Sequence, residues 1–257
     1  MKISIITLFP NMIEGFFAES IVRRGQEKGA VDIALINLRD FAVDRYGSVD
    51  DRPYGGGVGM VLRVEPIYRA VQEIKMQNAK CKISMKNSKV ILTSPKGKLF
   101  TQYKAVEYSK FDHLMIIVGH YEGVDERVRS FVDEEVSLGD FVMTGGEIAA
   151  CAIADSVVRL LPGVLKKDEA TMIESFFEVS IETLARVVDD QEIVRKLQKK
   201  GAKKIKLLEY PHYTRPEEFH GQKVPEILLS GNHAEIEKWR LKCAFEETMK
   251  RRPDLLV

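Results

Sequence analysis

The sequence predicts an α/β fold built on a mainly parallel sheet, and three observations predict it. Short apolar runs rich in β-branched residues alternate with longer segments of helical period. Glycine-containing loops follow those runs, as they do where open parallel sheets bind ligands beyond the carboxyl ends of their strands. The length, 257 residues with 45% hydrophobic and 30% charged side chains, suits one sizeable core and a smaller companion domain.

Taken in order, Ile3 to Phe9 reads as a buried first strand. The basic-then-apolar start invites comparison with a signal peptide, but the apolar run is short, Pro10 ends it, and no small-residue cleavage site follows. Pro10 and Asn11 open a helix with apolar positions Met12, Ile13, Phe16, Phe17, Ile21 and Val22, and Gly29 suits its stop. Val31 to Leu38 reads as a second strand and Pro66 to Met76 as a helix. Lys89 to Leu92 and Leu114 to Val118 read as short buried strands, and Gly146 to Leu161 as an apolar helix. No stretch approaches the ~20 apolar residues of a membrane span, so no membrane partner is expected.

The character changes after Leu165. Asp189 or Asp190 is positioned to cap a helix running to Lys200, with Ile193, Val194 and Leu197 as its apolar stripe and Gly201 as its stop. Arg195, Lys196, Lys199, Lys200, Lys203, Lys204 and Lys206 form a dense basic stretch. It reads either as a solvated helix end whose cations complement the helix dipole or as a phosphate contact. Ala234 to Arg251 reads as a final helix carrying Ile236, Trp239, Leu241, Phe245 and Met249. The net charge of +1 exerts no global pull on nucleic acid, so any basic surface must be local. Cys81, Cys151 and Cys243 are scattered with no Cys-x-x-Cys pair, which supports neither a zinc site nor a disulfide framework and fits a reducing cytoplasm.

Glycine placement is the most informative local feature. Asp50 to Met60 holds Gly55, Gly56, Gly57 and Gly59, yet Leu62 stands where a dinucleotide-binding fingerprint needs its third glycine. No Gly-Lys-Ser/Thr follows, so it is not a P-loop, and alone it reads equally as a flexible turn. Three further loops follow apolar strands: Thr93 to Gly97, Gly119 to Asp125, and Ser137 to Glu147. Glycine there lets backbone N–H and C=O groups approach a ligand closely, which suits a purine and a ribose. Within these loops Asp50, Asp51 and Arg52 suit a surface network or a contact to RNA or ligand, and Glu122 and Asp125 suit capping of a helix near Asp125. His120 reads as a surface residue, with no second histidine at metal-ligand spacing. No Gly-x-Ser-x-Gly elbow supports a hydrolase triad.

At these loops the chain closely resembles the bacterial tRNA (guanine-37-N1)-methyltransferases of the SPOUT superfamily. The likeness runs through Leu8-Phe9-Pro10, Asp50 to Met60, Ser94-Pro95, Gly119 to Arg127, Ser137 to Glu147, and Asp155-Ser156 through Arg159 to Leu165. It resumes at Pro211 to Pro216 and Leu228 to Ala234. The resemblance implies a deep trefoil knot, a homodimer and a cytoplasmic enzyme. It implies a knotted catalytic domain over 1–165, an interdomain linker over 166–207, and a small helical tRNA-binding domain over 208–257. It implies S-adenosylmethionine as methyl donor, bent against Leu92, Thr93, Ser94, Pro95, Gly119, Tyr121, Glu122, Leu138, Gly139, Asp140, Phe141, Val142, Met143, Gly145 and Gly146. The family also raises a Mg²⁺ requirement, but no compact carboxylate cage stands in the sequence, so no metal ligand is assigned.

Two departures stand out. The family's catalytic aspartate precedes a Ser-Phe pair; here Glu174 precedes Ser175-Phe176, with Asp168 as a fallback. The family also runs almost directly from Ser-Phe to Pro-His-Tyr-Thr-Arg-Pro, whereas Phe177 to Tyr210 forms an apparent insertion holding the basic stretch. The resemblance makes Glu174 the base that takes the guanine N1 proton and Arg159 the cation that stabilises charge growing on O6. A surface carboxylate and a helix-end cation are the plain readings of the same two residues. Tyr54, Tyr121 and Tyr213 read either as stacking platforms for a flipped base or as core. Three alternatives compete: a related methyltransferase for another RNA nucleoside, a non-catalytic tRNA-binding homologue, and a dinucleotide oxidoreductase that lacks its fingerprint.

Overall fold

The computed structural model describes residues 1–80, 87–166, 173–188 and 191–256. The chain divides into two compact units, Met1–Asp168 and Glu169–Val257.

The first unit opens with β1 (Lys2–Thr7), α1 (Pro10–Phe17), α2 (Ser20–Glu27) and β2 (Asp32–Asn37). The short strands β3 (Asp50–Asp51) and β4 (Val61–Leu62) precede α3 (Val64–Lys80). Then come β5 (Ser88–Leu99), α4 (Gln102–Tyr108), β6 (His113–Val118), β7 (Glu134–Ser137) and α5 (Glu147–Val158). Five strands form one sheet in the order β2-β1-β6-β5-β7, with every pair parallel. Both faces of this sheet are covered, which is why its central strands read as unbroken apolar runs. Ile3, Ile5, Ile91, Leu114 and Ile116 pack on one side with α1, α2 and α5. Ile6, Val90, Leu92, Met115 and Ile117 pack on the other with Ile67, Ala70, Val71 and Ile74 of α3. The alternation within β1, β5 and β6 is the two-residue period of the pleat.

The helix expected from Pro10 to Gly29 is two helices. The chain breaks after Phe17, and Ser20 takes φ +54 where α2 begins. An unbroken apolar stripe cannot reveal such a break, because both halves face the same core. α3 and α5 stand where expected, with α3 extending further at both ends. β7 was not legible. Its sequence Glu-Glu-Val-Ser carries one apolar side chain, and it sits at the sheet edge. Glu134 is held there by Lys104 Nζ at 2.6 Å and by the Tyr108 hydroxyl, which donates at 2.9 Å. Burial would raise the Glu134 carboxyl, but these two donors outweigh it and hold the group below its usual range.

His113 lies at the start of β6 with no solvent exposure, its Nε2 2.9 Å from Ser4 Oγ. Burial, aided by Lys2, pushes its pKa down to about 4. The unfolded chain therefore takes up a proton near pH 6.5 that the folded chain refuses until about pH 4. Stability should be flat above that window and fall as pH drops through it, by up to about 3 kcal/mol. Urea unfolding midpoints at pH 7 and pH 5 check this, and His113→Gln should remove most of the difference.

The second unit contains β8 (Phe177–Ser180), α6 (Ile181–Ala185), α7 (Gln191–Lys199) and β9 (Lys204–Leu207). After them come the hairpin β10 (Glu218–Phe219) and β11 (Gln222–Lys223), α8 (Glu226–Leu229) and α9 (His233–Arg251). Phe177 to Leu207, read from the sequence as linker and insertion, folds into an antiparallel β8–β9 pair with α6 and α7 between its strands. Ile181, Leu184, Val194, Leu197, Ile205 and Leu207 pack in one core with Ala244 and Phe245 of α9. Of the expected stripe of α7, Val194 and Leu197 are buried and Ile193 is partly buried, while its suggested caps Asp189 and Asp190 lie outside the described residues.

Candidate active site

Because all five strands of the main sheet run parallel, their carboxyl ends share one edge, and the loops leaving β5, β6 and β7 meet there. They enclose a cavity of about 320 Å³, within the range of small-ligand pockets. Leu92, Thr93, Ser94 and Pro95 line it from β5. Gly119, Tyr121 and Glu122 line it from the loop after β6, and Leu138, Gly139, Phe141, Val142, Met143, Gly145 and Gly146 from the loop after β7. Asp140 is the one expected contact that does not line the cavity. The stretch Thr93 to Gly97, read as a loop, belongs to β5 as an irregularity: the register against β7 shifts between Thr93 and Lys98. Gly97 is needed there, since a Cβ would collide with the backbone of Glu135 and Val136.

The loops are tied to one another by backbone groups. Gly146 N donates to Gly119 O at 2.8 Å, and His120 and Gly145 form an isolated antiparallel bridge. Gly119 N donates to Thr93 Oγ1 at 3.2 Å. Tyr121 takes φ +57, a left-handed conformation uncommon for a bulky residue and typical of ligand loops. The glycine-rich turn after β3 lies alongside rather than in the cavity. Met60 O accepts from Glu122 N at 3.1 Å, and Gly59 faces the Glu122 side chain. Asp125 caps the short 3-10 turn Glu126–Phe131 by accepting from Arg127 N at 2.9 Å, so the expected capping falls to Asp125 and not to Glu122. The Arg127 guanidinium beside it, whose hydrogen bond is the largest influence, holds the Asp125 carboxyl below its usual range.

Sequence reasoning missed the group beneath the cavity. Glu147, the first residue of α5, has no solvent exposure. Thr7 at the end of β1 donates its hydroxyl to Glu147 Oε1 at 2.8 Å, and His120 Nδ1 stands 3.4 Å from Oε2. A negative charge at a helix N-terminus is favoured by the dipole. Glu147 therefore joins a strand end, the loop after β6 and the start of α5 beneath the cavity. His120 is correspondingly mostly enclosed rather than on the surface, with the Phe9 and Tyr121 rings 4.9 and 4.7 Å away. The sequence signal was available, an acidic residue directly after Gly145-Gly146 at a helix start, but its partners lie far along the chain. Glu147→Ala should strand the Thr7 hydroxyl and cost about 1–3 kcal/mol, read from the urea midpoint.

Arg159 caps the carboxyl end of α5, its N–H donating to Asp155 O at 3.1 Å. It does not line the cavity, which touches the opposite end of that helix. Glu174 belongs to the second unit and is half-buried, with its carbonyl accepting from Phe177 N at 3.0 Å. Asp168 lies outside the described residues. Tyr54 is fully exposed, and Tyr121 and Tyr213 are 44% and 49% exposed, so none of the three is a core residue. Among the described residues no three His, Cys, Asp or Glu side chains gather to hold a metal ion, and no helix is long and apolar enough to cross a membrane.

A parallel sheet with a ligand-sized cavity at its carboxyl edge places the first unit among the α/β proteins that bind ligands at strand ends. The whole chain, residues 1–257, matches the family model described as tRNA (Guanine-1)-methyltransferase TrmD, and the protein belongs to that family. It is therefore a methyltransferase. Curated relatives named tRNA (guanine-N(1)-)-methyltransferase include that of Citrifermentans bemidjiense, 50% identical across all of this chain and 90% of its own. Those of Anoxybacillus flavithermus and Bacillus subtilis are 48% and 47% identical, again across the full chain, covering 91% and 92% of theirs.

Proposed function

We propose that the protein transfers a methyl group from S-adenosylmethionine to N1 of the guanine at position 37 of tRNA, as a cytoplasmic homodimer. The observation that carries this reading is the convergence of three strand-end loops on one cavity in a chain that matches the family from end to end. The relatives' names supply tRNA and guanine N1 as the target.

The cavity's chemistry fits the donor. Leu138, Phe141, Val142 and Met143 offer an apolar bed for a purine, and Glu122 offers a carboxylate to a cationic ligand. When bound, the donor supplies a methyl already activated by its sulfonium charge. What remains for the protein is orientation, exclusion of water and movement of one proton. Guanine N1 is not nucleophilic until it loses its proton, and Glu174 accepts that proton. Arg159 stabilises the negative charge that grows on O6 as the proton leaves. The exposed rings of Tyr54, Tyr121 and Tyr213 are available to stack on a base drawn out of the anticodon loop. Among the described residues no three acidic, histidine or cysteine side chains gather into a cage that fits Mg²⁺.

Two features support the homodimer. α5 has 12 residues, so its ends stand roughly 18 Å apart, and Arg159 caps the end away from the cavity. An Arg159 that acts in catalysis then serves the cavity of a second protomer. Phe9, Met12 and Phe16 around α1 and Ile148 on α5 are exposed apolar side chains available to an interface. The trefoil knot belongs to the same proposal, with the Gly119–Gly146 and His120–Gly145 pairings as the ties that draw two loops together.

The test is methyl transfer from labelled S-adenosylmethionine to a tRNA carrying guanine after the anticodon, with the same tRNA carrying adenine there as control. Transfer confined to the guanine substrate supports the reading. Transfer to both points to another nucleoside as target, and tight binding without transfer points to a non-catalytic tRNA binder.

A further inference from the structure

We propose that the corner formed by the end of α7 and the start of β9 is a docking surface for the RNA sugar-phosphate backbone, and that it is mechanically joined to the segment bearing Glu174. The proposal rests on RNA being the substrate. From Arg195 to Lys206 the chain holds Arg195, Lys196, Lys199, Lys200, Lys203, Lys204 and Lys206 and no acidic residue. The fold concentrates these charges. Val194 and Leu197 turn into the core, which leaves Arg195, Lys196, Lys199 and Lys200 exposed, and Gly201, at φ +79, turns the chain directly into Lys203 and Lys204.

Two of the seven are neutralised locally: Lys196 lies 2.7 Å from Glu192 and Lys204 3.4 Å from Glu178. Among the described residues Arg195, Lys199, Lys200, Lys203 and Lys206 form no ion pair. A helix dipole accounts for cations in the last turn of α7 only. It does not account for Lys203 and Lys206, which lie beyond the helix, or for the absence of any intervening acid. A local cluster of unpaired cations on a chain of net charge +1 is the electrostatic footprint of a polyanion contact.

The junction with Glu174 favours RNA over other polyanions. β9 leads straight from this corner to the residues flanking the proposed base. Phe176 N donates to Leu207 O at 2.7 Å, and Glu209 N donates to Ser175 Oγ at 3.1 Å. Leu208 N donates to Thr248 Oγ1 at 2.8 Å, which anchors the same stretch to α9. A phosphate held at Lys199, Lys200 and Lys203 is thereby held at a set distance from Ser175, next to Glu174.

The triple variant Lys199→Gln/Lys200→Gln/Lys203→Gln tests this. The KM for tRNA at ~0.1 M salt should rise about tenfold, and the slope of log KM against log salt should become shallower by about 2. kcat at saturating tRNA should change by less than about twofold, because contacts equal in ground and transition states act on KM alone. Lys→Glu at the same positions should deepen the KM effect. An unchanged KM and salt slope in both variants, with unfolding midpoints like wild type, would overturn the proposal. So would loss of binding to phosphatidylglycerol vesicles with the tRNA slope unchanged, which would make the surface a membrane contact. The same slopes read by direct tRNA binding stay measurable even if no methyl transfer occurs, so failure of the enzymatic reading is seen separately.

Discussion

Glu174→Ala is expected to lower the single-turnover rate of methyl transfer by about 10²–10⁴-fold, the usual worth of a positioned general base. The loss should fall on the chemical step, leaving the KM for tRNA nearly unchanged. Glu174→Asp should retain most of the activity, since it keeps the carboxylate and shortens its reach by one methylene. The backbone supports this expectation. Glu174 O accepts from Phe177 N, Phe176 takes φ +78, and the next residues enter β8, so the main chain is held on the carboxyl side of the base. Rates in an Ala variant that match wild type would leave the methyltransferase standing and move the base elsewhere, first to Asp168.

Arg159→Ala should cost about 10²–10³-fold in kcat if its guanidinium meets the developing charge on O6. Arg159→Lys should recover only part, because a point charge does not reproduce a planar fork of donors. The position of Arg159 makes a sharper expectation possible. If it serves the cavity of a second protomer, mixing Arg159→Ala with a cavity-blocked variant restores one working site in each mixed dimer. Gly146→Val is such a variant, because a side chain there collides with Thr93 Oγ1. Random exchange makes about half the dimers mixed, each with one of two sites intact, so about a quarter of wild-type activity should return. No recovery, in a mixture shown by mass to contain mixed dimers, would place Arg159 in the protomer it belongs to or outside catalysis.

The sheet strands β1, β5 and β6 were legible because burial on both faces writes an unbroken apolar run into the sequence. The cavity loops were legible because close packing demands glycine, as at Gly145, where a Cβ would strike His120 and Glu147. β7 was not, since an edge strand of Glu-Glu-Val-Ser is stabilised by Lys104 and Tyr108, which lie roughly thirty residues away in the chain. Nor was the buried junction of Glu147 with Thr7, whose hydrogen bond spans 140 residues. The second unit shows the same division. The stripe Val194 and Leu197 gave away α7, but the pairing of β8 with β9 joins short segments with weak period and needed the shared core with Phe245 to hold.

By itself the sequence determined the α/β class, the family and most of the residues that line the cavity, because periodicity, glycine placement and linear motifs are local properties. The tertiary structure alone decided that those loops meet in one cavity and that Glu147 lies buried beneath it. It also decided that the helix and strand bearing the basic stretch are anchored in the core of the second unit through Val194, Leu197, Ile205 and Leu207. Each of these depends on contacts between residues distant in sequence, formed only when burial of the two sheet faces and of the smaller core brings them together.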